Sequence, residues 1–240
     1  MTQELQINLH QVNNGPCPYL PDRHWITHAF RVRTIEPLIY EELLKNGWRR
    51  SGSSFYLNQC PGCSLCIPLR VPTEKFVPTK SQRRTERKNT DISITVVPAG
   101  FREDVFSLYK KYNAARHDPE REITKTNFMN FLGMSPMDTK MMLYWNKDLL
   151  VGTGWVDVMP GGMSSVYYAF DPDYSSRSLG VYSVLREIEL CRAMGKGYYY
   201  LGFWVPGSGK MAYKANYGPH EILIQGRWRD AEQYRLNPEI

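Results

Sequence analysis

What most narrows the folds open to this chain is the order of its hydrophobic patterns between Asp91 and Trp228. Asp91-Ile92-Ser93-Ile94-Thr95-Val96-Val97 alternates as a half-buried strand does. Residues 101–115 then set Val105, Leu108, Tyr109 and Tyr112 at helical spacing, and 126–132 predicts a second, shorter helix. Strands follow at 140–145, 149–159 and 163–170. Their connections, Asn146-Lys147-Asp148 and Pro160-Gly161-Gly162, are short turn sequences, so antiparallel hairpins are expected. Residues 179–194 place Val181, Val184, Leu185, Ile188 and Cys191 on one helical face, 197–204 is an aromatic strand, 210–216 a short helix and 222–228 a last strand.

That order is the order of an acetyltransferase-type fold: α/β (α+β), GNAT-like, with a mixed, mostly antiparallel sheet flanked by helices. Ahead of it, Leu38, Ile39, Leu43 and Leu44 predict a helix over 36–46, stopped by Gly47. Phe55-Tyr56-Leu57 and Ile67-Pro68-Leu69-Arg70-Val71 read as strands bracketing a turn that carries Cys60, Cys63 and Cys66. Residues 1–15 are polar, have no useful period, and are expected to be poorly ordered. The division expected is an N-terminal Cys-containing, basic subdomain over 1–90, either separate or a divergent GNAT-like half, and a GNAT-like transferase domain over 91–230.

With 42% hydrophobic and 22% charged residues in 240, the chain is long and apolar enough to bury a full core, which excludes intrinsic disorder. No apolar run approaches the roughly 20 residues a bilayer crossing needs. The N-terminus lacks a secretory layout, so a cytoplasmic protein is expected. Five cysteines in such a chain argue against a disulfide framework. Cys60, Cys63 and Cys66 at two-residue gaps, with Cys17 as a fourth, suit zinc or an iron–sulfur cluster; reduced packed thiols and a redox-sensing disulfide are the other readings.

Residues 70–91 hold seven basic side chains against three acidic, most of the chain's surplus of six. Lys80, Arg83, Arg84, Arg87 and Lys88 include i, i+4 pairs that a helix would line up for phosphate or carboxylate oxygens. Tyr174-Ser175-Ser176-Arg177-Ser178-Leu179-Gly180-Val181 leads into a helix start that favours phosphate. It resembles the acetyltransferase pyrophosphate loop at Arg177 and Gly180, but Tyr182 stands at the final small position and is expected to crowd coenzyme A. His10, His24, His28, His117 and His220 are scattered, and no Ser-His-Asp hydrolase pattern emerges.

Cys17-Pro18-Tyr19-Leu20-Pro21-Asp22-Arg23, Gly47-Trp48-Arg49-Arg50-Ser51-Gly52, the cysteine turn, Ser81-Gln82-Arg83-Arg84, Tyr168-Ala169-Phe170-Asp171-Pro172-Asp173-Tyr174, Ser176-Arg177-Ser178-Leu179-Gly180 and Lys210-Met211-Ala212-Tyr213-Lys214 together resemble the arginyl-tRNA–protein transferase family. The matches run from about Cys17 to Trp228. As in the bacterial branch of that family, the resemblance implies transfer of leucine from leucyl-tRNA to the N-terminal amine of proteins beginning with Asp or Glu, creating an N-degron.

An aminoacyl ester is already activated, so this chemistry requires no cofactor; zinc or a cluster at the cysteines is an addition to it. Under that implication Tyr168 and Asp171 are expected to orient the amine and relay its proton. Arg83 and Arg84, then Arg49 and Arg50, are expected to recognise the acidic first residue. Lys75, Lys80, Arg87, Lys88, Ser176, Arg177, Gly180, Lys210 and Lys214 are expected to meet tRNA. Arginine as donor, an acyl-CoA-dependent N-acetyltransferase, and a non-catalytic RNA-binding or redox-sensing module are the alternatives.

Overall fold

The computed structural model describes residues 8–116, 120 and 122–235. Two sheets organise them. The smaller is antiparallel and four-stranded, in the order β1 (His10–Pro16), β2 (His24–Arg31), β4 (Ser54–Asn58), β3 (Arg49–Ser51). Helix α1 (Pro37–Lys45) buries Tyr40 and Leu44 against Phe30 and Phe55, and Met159 and Tyr200 of the larger sheet's half close the same cluster.

The larger sheet has eight strands: β5 (Ile67–Pro72), β6 (Ile92–Pro98), β7 (Thr139–Asn146), β8 (Leu149–Val158), β9 (Gly162–Phe170), β10 (Tyr198–Trp204), β11 (Glu221–Ile224) and β12 (Arg227–Asp230). Their spatial order is β12-β11-β5-β10-β9-β8-β7-β6. The hairpins expected at 146–148 and 160–162 are both present. Among these strands the single parallel pair is β9 with β10, joined through helix α5 (Leu179–Ala193). Strand β5 lies between β10 and β11, so a strand and a helix that precede residue 91 belong to this larger layer.

Both faces of the sheet are covered, which is why β7 reads as an unbroken apolar run. Met142 and Tyr144 turn toward Leu185 and Ile188 of α5. Met141 and Leu143 turn the other way, toward Val105 of α3 (Glu103–Arg116) and Phe128 of α4 (Lys125–Phe128). Helix α2 (Lys80–Lys88) buries only Gln82, and a reciprocal cap starts it: Thr79 Oγ1 accepts from the Gln82 amide at 3.2 Å while Gln82 Oε1 accepts from the Thr79 amide at 2.8 Å. Gln82 Nε2 also donates to the Asn216 carbonyl at 3.0 Å, tying α2 to the 212–216 turn.

Two expectations fall. The end of the segment expected to be poorly ordered is taken up by β1, which runs from residue 10 to 16, and the one strand expected at 222–228 is two strands folded at Gln225-Gly226, both with positive φ. No helix among the described residues is long and apolar enough to cross a membrane.

Candidate active site

The parallel pair is short. Tyr198, Tyr199 and Tyr200 pair with Gly162, Met163 and Ser164, and there the ladder ends. Strand β9 continues on β8 to Phe170 while β10 continues on β5 to Trp204, so the two strands part in mid-sheet. A register shift between Tyr200 and Gly202 marks the point, with Gly202 at φ +98, a conformation that side-chain-bearing residues rarely adopt. Parting strands expose backbone groups that no neighbouring strand satisfies.

Arg49 of β3 reaches across from the small sheet into this gap. Its Nη1 donates to Ser164 Oγ at 3.0 Å and its Nη2 to the Ser165 carbonyl at 2.5 Å. Lys214, in the 212–216 turn, comes up beside it. A Cβ built on Gly202 would stand 2.9 Å from Lys214 Nζ and 3.5 Å from Arg49 Nη2, so glycine is what lets both cations lean on the β10 backbone. Burial, and then the Arg49 guanidinium, push the Lys214 ammonium down to about 7.

Behind Ser165 lies Glu187 of α5, 1% exposed. Its Oε2 accepts from the Tyr199 hydroxyl at 2.5 Å, and the Ser165 hydroxyl donates to it as well. Burial pushes this carboxyl up to about 7, and the two hydroxyls pull it part of the way back. The gap is thus bordered by a lysine and a glutamate that both titrate near neutrality. Sequence reading misses Glu187 and Gly202; the available signal for the first is a carboxylate set among Val184, Leu185, Ile188 and Cys191 on the apolar face of α5.

The structure separates the arginines expected to read an acidic terminus. Arg83 and Arg84 lie on the exposed side of α2, with Arg83 donating to the Pro78 carbonyl. Arg50 is buried and clasps Asp157 through Nε at 2.6 Å and Nη2 at 2.5 Å, with Thr139 also donating to Asp157 at 2.5 Å. Of the four, Arg49 is the one that enters the gap. Asp171 accepts from the Asp173 amide at 3.0 Å and pairs with Lys111 at 2.6 Å, the capping role that its place before a proline suggests. The Tyr168 hydroxyl is sealed from solvent without a hydrogen-bond partner, and burial, with Glu187 next, holds its phenol well above the usual range.

Among the residues expected to meet tRNA, Lys75, Lys80, Arg87, Ser176 and Lys210 are exposed. Lys88 donates to the Ser176 carbonyl at 2.5 Å, and Arg177 forks onto Asp91 with two bonds of 2.8 Å. Lys214 is a correction: it is 8% exposed and faces inward, away from any surface phosphate. Tyr182 is another, for its ring packs into the core against Tyr144 and leaves Gly180 with open space.

Cys17, Cys60, Cys63 and Cys66 line one cavity of about 40 Å³, all as free thiols. The Cys60 sulfur is engaged by the Ile26 backbone, and burial pushes the Cys66 thiol up to about 12. Among the described residues no group of three or more His, Cys, Asp or Glu side chains is arranged to hold a metal ion. His117 lies outside the described residues.

An antiparallel sheet interrupted by one splayed parallel pair, with the crossover helix packed behind it, defines a GNAT-like transferase architecture. The solved structure of FemX has this fold: TM-score 0.53, 97% of this chain and 91% of that one, at 7% identity. Two family profiles fix the particular lineage. "Arginine-tRNA-protein transferase, N terminus" matches residues 15–84 and "Arginine-tRNA-protein transferase, C terminus" matches 104–224. The chain therefore belongs to the arginine-tRNA-protein transferase family and is a transferase. Among curated relatives, the aspartate/glutamate leucyltransferase of Gluconacetobacter diazotrophicus is 38% identical over 93% of this chain and 88% of its own length. That of Saccharophagus degradans is 36% identical over 95% and 98%.

Proposed function

We propose that this protein moves leucine from leucyl-tRNA onto the α-amine of polypeptides whose first residue is aspartate or glutamate, creating an N-degron. What carries the reading is near-full-length similarity to relatives named for that activity, joined to a cation, Arg49, held inside the splayed gap. The acceptor amine has an ordinary pKa near 7.7–8.0, so a useful fraction is neutral at pH 7, and the ester needs no further activation. The protein's tasks are to hold nitrogen against carbonyl carbon, to take up one proton, and to stabilise the oxyanion. Glu187, reached through the Ser165 hydroxyl, has the proton affinity for the second task.

The exposed face of α2, with Lys80, Arg83, Arg84 and Arg87, supplies the surface for tRNA phosphates. Alanine at all four is expected to flatten the log–log salt dependence of tRNA binding by about 0.7–0.9 for each phosphate no longer neutralised. Filter binding across a salt series measures it, and an unchanged slope moves the tRNA elsewhere.

The decisive assay incubates labelled leucyl- or arginyl-tRNA with peptides starting in Asp, Glu and Lys. Leucine is expected on the first two alone; arginine transfer, or no transfer, overturns the reading. An acyl-CoA-dependent N-acetyltransferase is favoured by one observation, the inward turn of Tyr182 that leaves Gly180 open. A calorimetric titration with acetyl-CoA is expected to show no saturable binding.

A further inference from the structure

Lys214 and Arg49 are two basic groups set side by side with no carboxylate between them. Neither forms an ion pair with a carboxylate among the described residues: Arg49 spends its donors on Ser164 and Ser165, and the Lys214 ammonium has no side-chain carboxylate within reach. Placing two like charges against one strand and burying one of them costs free energy that ordinary folding has no reason to accept. A Met or Leu at 214 would fill the same volume without that cost. Elsewhere the fold supplies counter-charges readily: Arg50 has Asp157, Arg70 has Glu221, Arg177 has Asp91 and Arg186 has Glu86. The uncompensated pair stands where β9 and β10 part, and Gly202, by having no side chain, lets both side chains lean on the β10 backbone.

We propose that Arg49 and Lys214, brought side by side against Gly202, together grip the side-chain carboxylate of the acceptor's first residue. This rests on the reading that acceptors begin with Asp or Glu. A carboxylate lying between an ammonium and a guanidinium replaces its lost water with charge-assisted hydrogen bonds and relieves the repulsion between the two cations. An amide of the same shape, from Asn or Gln, accepts with one atom only and brings no charge. The pocket accordingly selects acid over amide, and Lys214 is a specificity-determining residue, not a tRNA contact.

The test measures kcat and KM for leucine transfer to matched peptides starting with Asp, Asn, Glu and Gln, using wild-type protein, Lys214→Met and Lys214→Arg. Lys214→Met is expected to raise KM for the Asp and Glu peptides on the order of 100-fold and to bring the Asp/Asn ratio near one, with kcat little changed. Lys214→Arg, which keeps the charge, is expected to restore most of the ratio. Because Lys214→Met removes a basic group whose protonation burial and Arg49 oppose, its thermal midpoint is expected to rise; a purely structural lysine would lose stability instead. Retention of the wild-type Asp/Asn ratio by Lys214→Met, or a lowered midpoint, overturns the pocket. If wild-type protein transfers leucine to none of the peptides, the failure lies with the proposed function and is visible before any variant is compared.

Discussion

Asp157→Ala is expected to lower the unfolding free energy by about 3–5 kcal/mol, because it strands the Arg50 guanidinium in the seam between the two sheets. Arg50 sits on β3 and Asp157 on β8, and the fork between them is completed by Thr139 of β7 and the Gly52 carbonyl at 2.9 Å. The Asp157 side chain is fully buried and that of Arg50 is 3% exposed, so water cannot replace the missing carboxylate. For a chain of this size the loss corresponds to a fall of roughly 6–20 °C in thermal midpoint. Scanning calorimetry of Asp157→Ala, Arg50→Met and the Arg50→Met/Asp157→Leu double variant checks it. The double variant is expected to recover most of the stability, since it leaves no charge behind. A midpoint within 2–3 °C of wild type for Asp157→Ala, about 1 kcal/mol at most, would show that the seam does not depend on this pair.

Arg49 and Arg50 also show where sequence reading reaches its limit. Both are expected at the acceptor site because both belong to one basic string. On a strand, neighbouring side chains leave by opposite faces. Arg49 therefore goes to the gap and Arg50 to the seam, and which goes where depends on a sheet partner more than a hundred residues away. Lys210 and Lys214 present the same ambiguity: one turn apart, they look alike in sequence, and only the packing of the 212–216 turn under β10 buries the second.

What is legible follows from periodicity. The three central strands and α5 bury apolar residues at regular intervals, and the order of those intervals is enough to carry the fold class. Strand β1 escapes because nearly all its side chains are exposed, so no alternation of polar and apolar residues marks it. The β11–β12 hairpin escapes because its turn opens on Gln225, in a positive-φ position where Asn or Asp is the usual signal. Asp171 reads from sequence as either a cap or a reacting group. Its local sequence supports the cap, and the pairing with Lys111 of α3 is what the sequence does not reveal.

Glu187→Gln is expected to lower kcat for leucine transfer by roughly a thousandfold while leaving KM for the acceptor within a few-fold of wild type. The amide keeps the size and the hydrogen-bonding reach toward Tyr199 and Ser165 but cannot accept a proton. In wild-type protein the working form is the carboxylate, so kcat is expected to rise with pH and to level off above about 7, where burial has placed this group. In the variant that rise disappears. Stability must move the opposite way. The folded carboxyl holds its proton up to about 7 and the unfolded one only to 4.5, so wild-type protein loses stability as pH climbs through that window. Glutamine carries no proton to lose, and its thermal midpoint at pH 8 is expected to exceed that of wild type. A variant that keeps its turnover, or one that loses turnover and midpoint together at pH 8, assigns Glu187 to packing alone. The pair of opposed shifts is the signature of a buried charge retained for chemistry, the same logic that places Lys214 beside Arg49.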